Sequence, residues 1–389
     1  MKTLKLRKKE DRRLRRGHPW AFSNEIESLS GIEPGDLVEL QDASGALVGT
    51  GYANPRSLIA VRLISRPGEE FGPGLIRRRV EDARAYREKV CPGRKSYRAF
   101  YSESDFLPGL VVDNYGGNLV VQSLTAGVER MLPEIIDALK AVYSPKCILL
   151  RNDSGQRKLE GLAPGKSVEH GRYDGPVDAV IGGLKFKVDM LDGQKTGFFL
   201  DQVDNYALLK DISKDAHVLD LFCHTGAWAL TAANFGAASC TGVDSSEHAL
   251  AGAVENTALN GLFDRVEYER ADVFAALKTI AAGGKRYDVV VCDPPAFIKS
   301  RAKTAEGLKG YRDLNVKAMR VVKPGGWLVS CSCSHHLSRE GFVEMLQAAA
   351  VGAGRAARVV EIRSQSKDHP ALLAAPETDY LKCALLQLV

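Results

Sequence analysis

The N-terminal part of the chain shows the hydrophobic alternation of short strands. Residues 17–66 contain brief alternating runs separated by glycine-rich turns, a pattern typical of antiparallel strands. Within them, residues 37–40 and 46–49 flank a turn at 42–45, which predicts a hairpin, and residues 57–65 predict a further strand. We therefore expect a small, mostly β module at this end of the chain.

The middle of the chain mixes helical and strand periodicities. Residues 75–90 carry apolar positions at helical spacing, and residues 111–121 contain two apolar runs around a turn. A second helix over 127–143 and a strand over 147–153 complete a block of order strand-strand-helix-strand. Proline and glycine cluster in 66–74, so we place a domain boundary there.

From about residue 180 the pattern changes to buried strands that alternate with helices. Strands are predicted over 217–222, 239–244, 266–272, 287–293, 325–334 and 379–389, with helices such as 245–259 and 306–322 between them. This alternation predicts a doubly wound, mostly parallel α/β sheet, in which ligands bind beyond the carboxyl ends of the strands. The predicted domains are 1–68, 69–175 and 176–389.

The charge distribution adds a candidate nucleic-acid-binding region. Residues 1–16 carry nine Lys/Arg and two acids, whereas the whole chain has a net charge of only +5. A concentrated basic arm suits a polyphosphate partner because each neutralised phosphate releases counterions, although a solvated tail has the same composition. The predicted phosphate-binding residues are Arg12, Arg13, Arg15 and Arg16.

The composition narrows the class of protein. No apolar run is long enough to span a membrane, and no apolar stretch follows the basic N-terminus as in a secretory signal. Eight scattered cysteines in 389 residues are not the pattern of a disulfide framework. We therefore expect a cytoplasmic protein with no membrane partner and no metal. The oligomeric state stays open, with a homodimer as one candidate.

Acidic residues lie at the ends of three successive predicted strands. Asp220, Asp244 and Asp272 should therefore meet at one edge of the sheet, and Gly226 lets the backbone approach a ligand there. Only one glycine of the dinucleotide pattern G-x-G-x-x-G is present, which argues against pyrophosphate binding. Three carboxylates suit a nucleoside that carries a cation, such as S-adenosylmethionine, although Asp also commonly caps helices.

Several motifs resemble those of class I S-adenosylmethionine-dependent methyltransferases. They are LDLFCHTGAW (219–228), GVDSS (242–246), RADVF (270–274), CDPPAFIKS (292–300) and SCSCS (330–334). Four more motifs extend the resemblance to the bacterial ribosomal RNA large-subunit methyltransferase I family, over essentially the whole chain. These are KTGFFLDQ (195–202), ESDFLPGLVVDNYG (103–116), RNDSGQRKLEGL (151–162) and KDHPALLAAPETDYLK (367–382).

This resemblance implies three domains and one reaction. The domains are an N-terminal β-barrel PUA domain, a small central α/β domain and a Rossmann-like methyltransferase domain with a seven-stranded, mostly parallel sheet. The reaction is formation of 5-methylcytosine in 23S ribosomal RNA, with S-adenosylmethionine as cofactor. The expected cofactor-binding residues are Asp220, Phe222, Thr225, Gly226, Asp244, Ser245, Asp272, Asp293, Asp201 and Gln202.

Carbon 5 of cytosine needs activation before it can take a methyl group. A thiolate that adds to carbon 6 makes carbon 5 nucleophilic, and an acid at N3 absorbs the negative charge. Cys333, at the end of the fifth predicted strand, matches the family's nucleophile. Asp293, at the end of the fourth, is the candidate N3 partner, and Cys331 is interpreted as a small buried residue. The sequence does not identify the group that removes the carbon 5 proton.

Other interpretations of these residues have less support from the sequence. A zinc site in 330–336 lacks the usual C-x2–4-C spacing, and cysteines two apart on a strand rarely reach disulfide geometry. Methylation of a purine nitrogen, such as guanine N7, is a second possible activity, against which Cys333 argues. A non-catalytic RNA-binding protein is a third possibility, against which the intact set of acids argues.

Overall fold

The computed structural model describes residues 1–69 and 71–389 of the chain. These residues form two compact units. The first unit comprises Met1–Ala179, Val188–Leu200 and Lys367–Thr378, and the second comprises Val180–Lys187, Asp201–Ser366 and Asp379–Val389. The domain limits 1–68, 69–175 and 176–389 stay a prediction. Glu70, within the boundary segment predicted at 66–74, lies outside the described residues.

The first unit begins with a five-stranded sheet. Its elements are β1 (Lys2–Lys5), α1 (Asp11–Arg15), β2 (Trp20–Ala21), β3 (Asp36–Gln41), β4 (Leu47–Ala53) and β5 (Val61–Ser65). The strand order is β1-β3-β4-β5-β2, with β1 parallel to β3 and the other neighbours antiparallel. The hairpin predicted for β3 and β4 is confirmed, whereas closure of the sheet into a barrel stays a prediction.

The basic segment 1–16 is folded, which corrects its interpretation as an arm or tail. Alternate side chains of a strand point to opposite faces. Leu4 and Leu6 are accordingly buried, while Thr3 and Lys5 are exposed. The apolar positions between the basic residues thus anchor this segment to the sheet.

A second five-stranded sheet follows in the same unit. Its elements are α2 (Pro73–Val90), β6 (Ser96–Tyr101), β7 (Leu110–Tyr115), β8 (Asn118–Ser123), α3 (Ala126–Arg130), α4 (Leu132–Tyr143), β9 (Cys147–Asn152), α5 (Gln156–Leu159) and β10 (Gly165–Gly171). The strand order is β10-β9-β8-β7-β6, and only the β8–β9 pair is parallel.

Two details of this block differ from the prediction. The helix expected over 127–143 is two helices separated at Met131, because Pro133 in the first turn of α4 has no N–H with which to continue α3. The block contains five strands instead of the three predicted, and the two additional strands are β6 and β10. A two-stranded sheet of β11 (Val177–Ile181) and β12 (Leu184–Val188) comes next in the chain.

The second unit is built on a seven-stranded sheet. Its elements are β13 (His217–Leu221), α6 (Ala227–Asn234), β14 (Ser239–Asp244), α7 (Glu247–Leu259), β15 (Val266–Arg270), α8 (Val273–Ala282), β16 (Tyr287–Cys292), α9 (Thr304–Arg320), β17 (Val322–Ser332), α10 (Arg339–Ala353), β18 (Ala357–Arg363) and β19 (Lys382–Leu388). The strand order is β15-β14-β13-β16-β17-β19-β18. Only β19 runs against its neighbours, so the predicted mostly parallel sheet is confirmed.

The strand order of this sheet locates the ligand crevice. Strands β13, β14 and β15 follow one another in one direction, and β16 lies on the opposite side of β13. The carboxyl ends of β13 and β16 therefore flank a topological switch point, where open α/β sheets bind ligands. No helix within the described ranges 1–69 and 71–389 is long and apolar enough to cross a membrane.

Candidate active site

Asp220 is a buried carboxyl group at the switch point. It is the penultimate residue of β13, and its Oδ2 accepts a 3.0 Å hydrogen bond from the backbone N–H of Ala229 in α6. Its Oδ1 has no hydrogen-bond partner among the residues that the structure describes. Burial raises the pKa of Asp220 well above its usual range, and the nearby carboxylates of Asp293 and Asp244 add to this effect.

The turn from β13 into α6 has a backbone conformation that depends on glycine. Phe222 has a φ of 62° and Gly226, which precedes α6, has a φ of 83°. A Cβ atom on Gly226 would lie 2.3 Å from the hydroxyl oxygen of Tyr268. Phe222 and Thr225 are half-buried in this turn. The turn therefore needs glycine at 226 for both its conformation and its packing.

Asp244 ends β14 beside the same turn. Its Oδ2 accepts a 2.9 Å hydrogen bond from the backbone N–H of His224, and its Oδ1 accepts one of 2.9 Å from that of Ser246. The neighbouring Ser245 is exposed. The carboxylate of Asp244 thus fixes the turn while lying at the edge where a ligand is expected.

Asp272 is exposed and caps α8. Its Oδ1 accepts a 2.9 Å hydrogen bond from the backbone N–H of Ala275. Since β13, β14 and β15 are parallel neighbours, Asp220, Asp244 and Asp272 come to one edge of the sheet, as the sequence predicted. Each also accepts a backbone hydrogen bond, so the capping interpretation is correct for Asp272 without excluding a ligand.

Asp293 directly follows β16 and is held by two side chains of the same unit. Nε2 of Gln202 donates to its two carboxylate oxygens at 3.1 and 3.0 Å, and Nε1 of Trp228 donates to Oδ2 at 3.0 Å. Nδ2 of Asn205 donates to Oε1 of Gln202 at 2.7 Å, which orients the amide. Gln202 was predicted from the sequence as a site residue. Trp228 was not, although it lies inside the LDLFCHTGAW motif.

Cys333 directly follows β17, the parallel neighbour of β16, and is half-buried. Cys333 and Asp293 therefore leave adjacent strands at the same edge of the sheet. Cys331 is fully buried, as predicted, and its Sγ lies 3.3 Å from Sγ of Cys383 on β19. These cysteines are thiols rather than disulfides. Among the described residues, no group of three or more His, Cys, Asp or Glu side chains is placed to hold a metal ion.

The segment before and in β19 contributes residues that the sequence analysis did not assign. The hydroxyl of Tyr380 donates a 2.6 Å hydrogen bond to Oδ2 of Asp201, and its ring stacks on His335 with centroids 5.0 Å apart. Nζ of Lys382 donates to the backbone carbonyls of Ser334 at 2.8 Å and Tyr380 at 2.7 Å. The only available signal was the KDHPALLAAPETDYLK motif, which shows no periodicity.

The four arginines predicted to bind RNA lie in and just after α1. Arg13 is half-buried and donates to both carboxylate oxygens of Glu25, at 2.9 and 3.0 Å. Arg15 pairs with Asp11 at 2.6 Å and with Asp42 at 2.5 Å. The remaining two, Arg12 and Arg16, are exposed.

Comparison with known sequence families matches one region near the N-terminus of the chain and a second, longer region after it. The sequence model of the PUA-like domain matches residues 4–66, and that of the S-adenosylmethionine-dependent methyltransferases matches residues 168–370. Ribosomal RNA large subunit methyltransferase I of Shewanella denitrificans is 39% identical over 386 residues, covering 97% of each chain. The chain belongs to the ribosomal RNA large subunit methyltransferase I family.

Other comparisons agree with this family. The methyltransferase I of Tolumonas auensis is 36% identical over 396 residues, covering 100% of this chain and 99% of its own. The crystal structure of SMU.776 complexed with SAH superposes with a TM-score of 0.87 over 100% of both chains. Its identity of 20% makes this likeness evidence for the fold alone.

The acidic edge fits S-adenosylmethionine, the cofactor of this methyltransferase family. Burial is the main cause of the raised pKa of Asp220, and repulsion from the carboxylates of Asp293 and Asp244 adds to it. A ligand with a sulfonium and an ammonium group would relieve this repulsion, whereas a phosphate-rich ligand would increase it. The unpartnered Oδ1 of buried Asp220 further indicates that a donor from outside the described residues belongs there.

Replacing Gly226 with alanine should destabilise the protein by about 1–3 kcal/mol and weaken cofactor binding. The new Cβ would have to displace the Tyr268 hydroxyl as well as adopt a φ of 83°. Gly236→Ala is the matched control, since Gly236 has a φ of 94° but its Cβ would meet nothing closer than 3.9 Å. Urea unfolding and calorimetric titration with S-adenosylhomocysteine measure both effects. Equal losses in the two variants would show that the contact with Tyr268 is unimportant.

Replacing Asp220 with asparagine should stabilise the cofactor-free protein, and this stabilisation should be larger at higher pH. Because the pKa of Asp220 is raised on folding, its carboxyl group is neutral at low pH in both states and costs no stability there. The cost grows as the pH rises from the unfolded-state pKa of about 3.9 towards the raised folded-state pKa, whereas asparagine stays neutral. The gain in the free energy of unfolding should therefore increase as the pH rises above about 4, until the raised folded-state pKa is reached.

The free energy of unfolding is measured with urea at a series of pH values. Asp288→Asn is the comparison variant, in which the effect on stability should have the opposite sign. Burial opposes ionisation of Asp288, but hydrogen bonds from Lys323 and the backbone N–H of His217 hold its pKa below the usual range. Its carboxylate therefore stabilises the fold above the unfolded-state pKa, and this contribution is lost as the pH falls. A variant of Asp220 whose stability relative to the wild type did not change with pH would contradict the assignment of a buried, raised-pKa carboxyl group.

Proposed function

We propose that this chain methylates carbon 5 of a cytosine in large-subunit ribosomal RNA, using S-adenosylmethionine. The observation that carries the proposal is the position of Cys333 and Asp293, which directly follow adjacent parallel strands beside the acidic cofactor edge. The names of the relatives give large-subunit ribosomal RNA as their substrate, and the motif resemblance gives 23S ribosomal RNA and cytosine.

The proposed reaction begins with Cys333 as thiolate. Its sulfur bonds to carbon 6 of the cytosine, and the ring electrons shift so that a carbon 4–carbon 5 double bond forms and N3 takes up a proton. Asp293, protonated when the cytosine binds, supplies that proton. Gln202 and Trp228 donate hydrogen bonds to the carboxylate that remains after the transfer and hold it in place.

The second half of the reaction restores the aromatic ring. S-adenosylmethionine, when bound, supplies an electrophilic methyl group for carbon 5. Solvent water takes the carbon 5 proton, the sulfur of Cys333 leaves carbon 6 as a thiolate, and the N3 proton returns to Asp293. The residues proposed to hold the cofactor are those predicted from the sequence, with Asp220 and Asp244 as the buried and half-buried carboxyl groups at its centre.

A covalent trap tests this function directly. In RNA that contains 5-fluorocytosine, carbon 5 can be methylated, but its fluorine cannot leave in the way that a proton leaves. The sulfur therefore stays attached to carbon 6. We expect a protein–RNA adduct that forms only with S-adenosylmethionine and maps to Cys333 by peptide mass spectrometry. Methylation of unsubstituted RNA together with no adduct from the fluorinated RNA would overturn the proposal.

RNA binding and domain organisation complete the proposed function. We infer that exposed Arg12 and Arg16 bind phosphates, and that Arg13 mainly stabilises the fold through Glu25. Arg15 has part of its charge neutralised by Asp11 and Asp42 and contributes less to phosphate binding. We also propose the domain limits 1–68, 69–175 and 176–389, with the first domain as the RNA-binding module.

A further inference from the structure

Lys382 is a buried lysine beside the proposed nucleophile. It is only 4% exposed and lies on β19 directly opposite Ser332, the last residue of β17. Most of the other residues of β19, Cys383 to Leu388, are buried and apolar. A charged residue in this position is costly unless it has partners, so its presence calls for a physical explanation.

The hydrogen bonds of Lys382 fix its ammonium group at the end of β17. Its Nζ donates at 2.8 Å to the carbonyl of Ser334, the residue after Cys333, and at 2.7 Å to the carbonyl of Tyr380. These are neutral acceptors, and they use two of the three donors of an ammonium group. Two carbonyl dipoles orient the charge without neutralising it, which leaves it able to act on an anion nearby.

Cys333 is the titratable group that interacts most strongly with Lys382. Burial lowers the pKa of Lys382 to about 8, and a thiolate at Cys333 opposes this change first and the carboxylate of Asp379 second. Interaction between two groups is mutual, so a cation that the thiolate favours also favours the thiolate. Asp379, which precedes β19, also interacts with the ammonium group of Lys382. Its negative charge therefore weakens the effect of this ammonium group on Cys333.

We propose that the ammonium group of Lys382 holds Cys333 as a thiolate and so sets the pH range in which the nucleophile is active. The inference rests on the proposed function, in which the sulfur of Cys333 attacks carbon 6. The thiol proton leaves to water, while Lys382 keeps its own proton. Lys382 is thus a positioning residue that acts through Cys333, and it does not contact the substrate in this scheme.

The other titratable groups around this pair do not replace Lys382. Tyr311 on α9 interacts with Cys333, but burial raises the pKa of its hydroxyl, so it is neutral at physiological pH. His335, two residues after Cys333, is exposed and stacks on Tyr380. The carboxyl groups of Asp379 and Asp293 act against a thiolate when they are ionised. Lys382 is therefore the buried cation that the described residues place beside this sulfur.

The test is the pH dependence of alkylation of Cys333. Iodoacetamide reacts with the thiolate, so its rate at Cys333, followed by mass spectrometry of that peptide, reports the thiol pKa. We expect Lys382→Met to slow alkylation near neutral pH by about 10-fold and to move the profile to higher pH, and Lys382→Arg to restore most of the rate. Lys323→Met, at the other end of β17, is the matched control and should leave the profile unchanged.

A second measurement does not depend on a Lys382 variant that folds. The difference in thiolate ultraviolet absorbance between the wild type and Cys333→Ala, titrated with pH, gives the Cys333 pKa in the intact protein. A value below the ordinary thiol pKa of about 8.5 supports the proposal. A value at or above it, or an unchanged alkylation profile in folded Lys382→Met, overturns it.

The same experiments separate this inference from the proposed function. If Cys333→Ala still methylates RNA while Lys382→Met shifts the alkylation profile, the thiolate is stabilised but is not the nucleophile. If the fluorinated RNA traps Cys333 while the profile does not move in Lys382→Met, the nucleophile is correct and Lys382 does not activate it. A role of Lys382 as a proton acceptor would show as loss of methylation that arginine does not rescue, which also contradicts the proposal.

Discussion

Replacing Cys333 with alanine should reduce methyl transfer by roughly 10³-fold or more, because its sulfur is the group proposed to add to carbon 6. Cys333 is half-buried and lies beside the cofactor edge, but it is not one of the residues proposed to bind the cofactor. Calorimetric titration with S-adenosylmethionine should therefore give nearly the wild-type affinity. The rate is measured as labelled methyl groups incorporated into ribosomal RNA, and the position by bisulfite sequencing.

Cys331→Ala is the matched control for this experiment. Cys331 lies two residues earlier on the same strand, is fully buried and contacts Cys383. Its loss leaves a small cavity that we expect to cost about 1–2 kcal/mol of stability, with activity close to that of the wild type where the protein is folded. Cys331→Ala as inactive as Cys333→Ala, or an active Cys333→Ala, would reverse the assignment of the nucleophile.

The sheet of the second unit could be predicted because its central strands are buried on both faces. Parallel strands of this kind appear as continuous apolar runs, which is why the predictions for β13, β14, β16 and β17 lie within a few residues of the structure. Exposed edge strands give a weaker signal, although the edge strand β15 was predicted. The residues of β10 are all exposed and most of those of β18 are, so neither strand was predicted.

The basic N-terminus shows a different limit of sequence patterns. Its nine Lys/Arg dominated the interpretation, and only the structure shows that Leu4 and Leu6 bury its apolar face. Charge composition reports what a segment attracts and does not report whether it is folded.

Parallel topology also explains which site residues could be predicted. Residues that end adjacent parallel strands must meet at one edge, so Asp220, Asp244, Asp293 and Cys333 follow from the strand pattern and the motifs. Trp228 and Lys382 did not follow. Trp228 reaches Asp293 from 65 positions away, and Lys382 reaches the carbonyl of Ser334 from 48 positions away. Such partners depend on how distant elements pack, which local periodicity does not contain.

Replacing Asp293 with asparagine should lower the rate of methylation by about 10²–10⁴-fold, the usual contribution of a general acid. Asparagine keeps an oxygen that can accept hydrogen bonds from Gln202 and Trp228, so the local structure should persist. It has no proton to give to N3. Asp288→Asn is the control, because Asp288 lies near the opposite end of β16 and pairs with Lys323.

The fluorinated RNA separates the role of Asp293 from that of Cys333. In Asp293→Asn the thiolate is still present, so the adduct should form slowly and still map to Cys333, whereas Cys333→Ala should give none. Slow trapping is expected because, without a proton at N3, the negative charge that develops on addition to carbon 6 is left uncompensated in a half-buried site. Wild-type trapping kinetics in Asp293→Asn would show that Asp293 acts after the addition step, or only on cofactor binding, which a titration with S-adenosylmethionine would then distinguish.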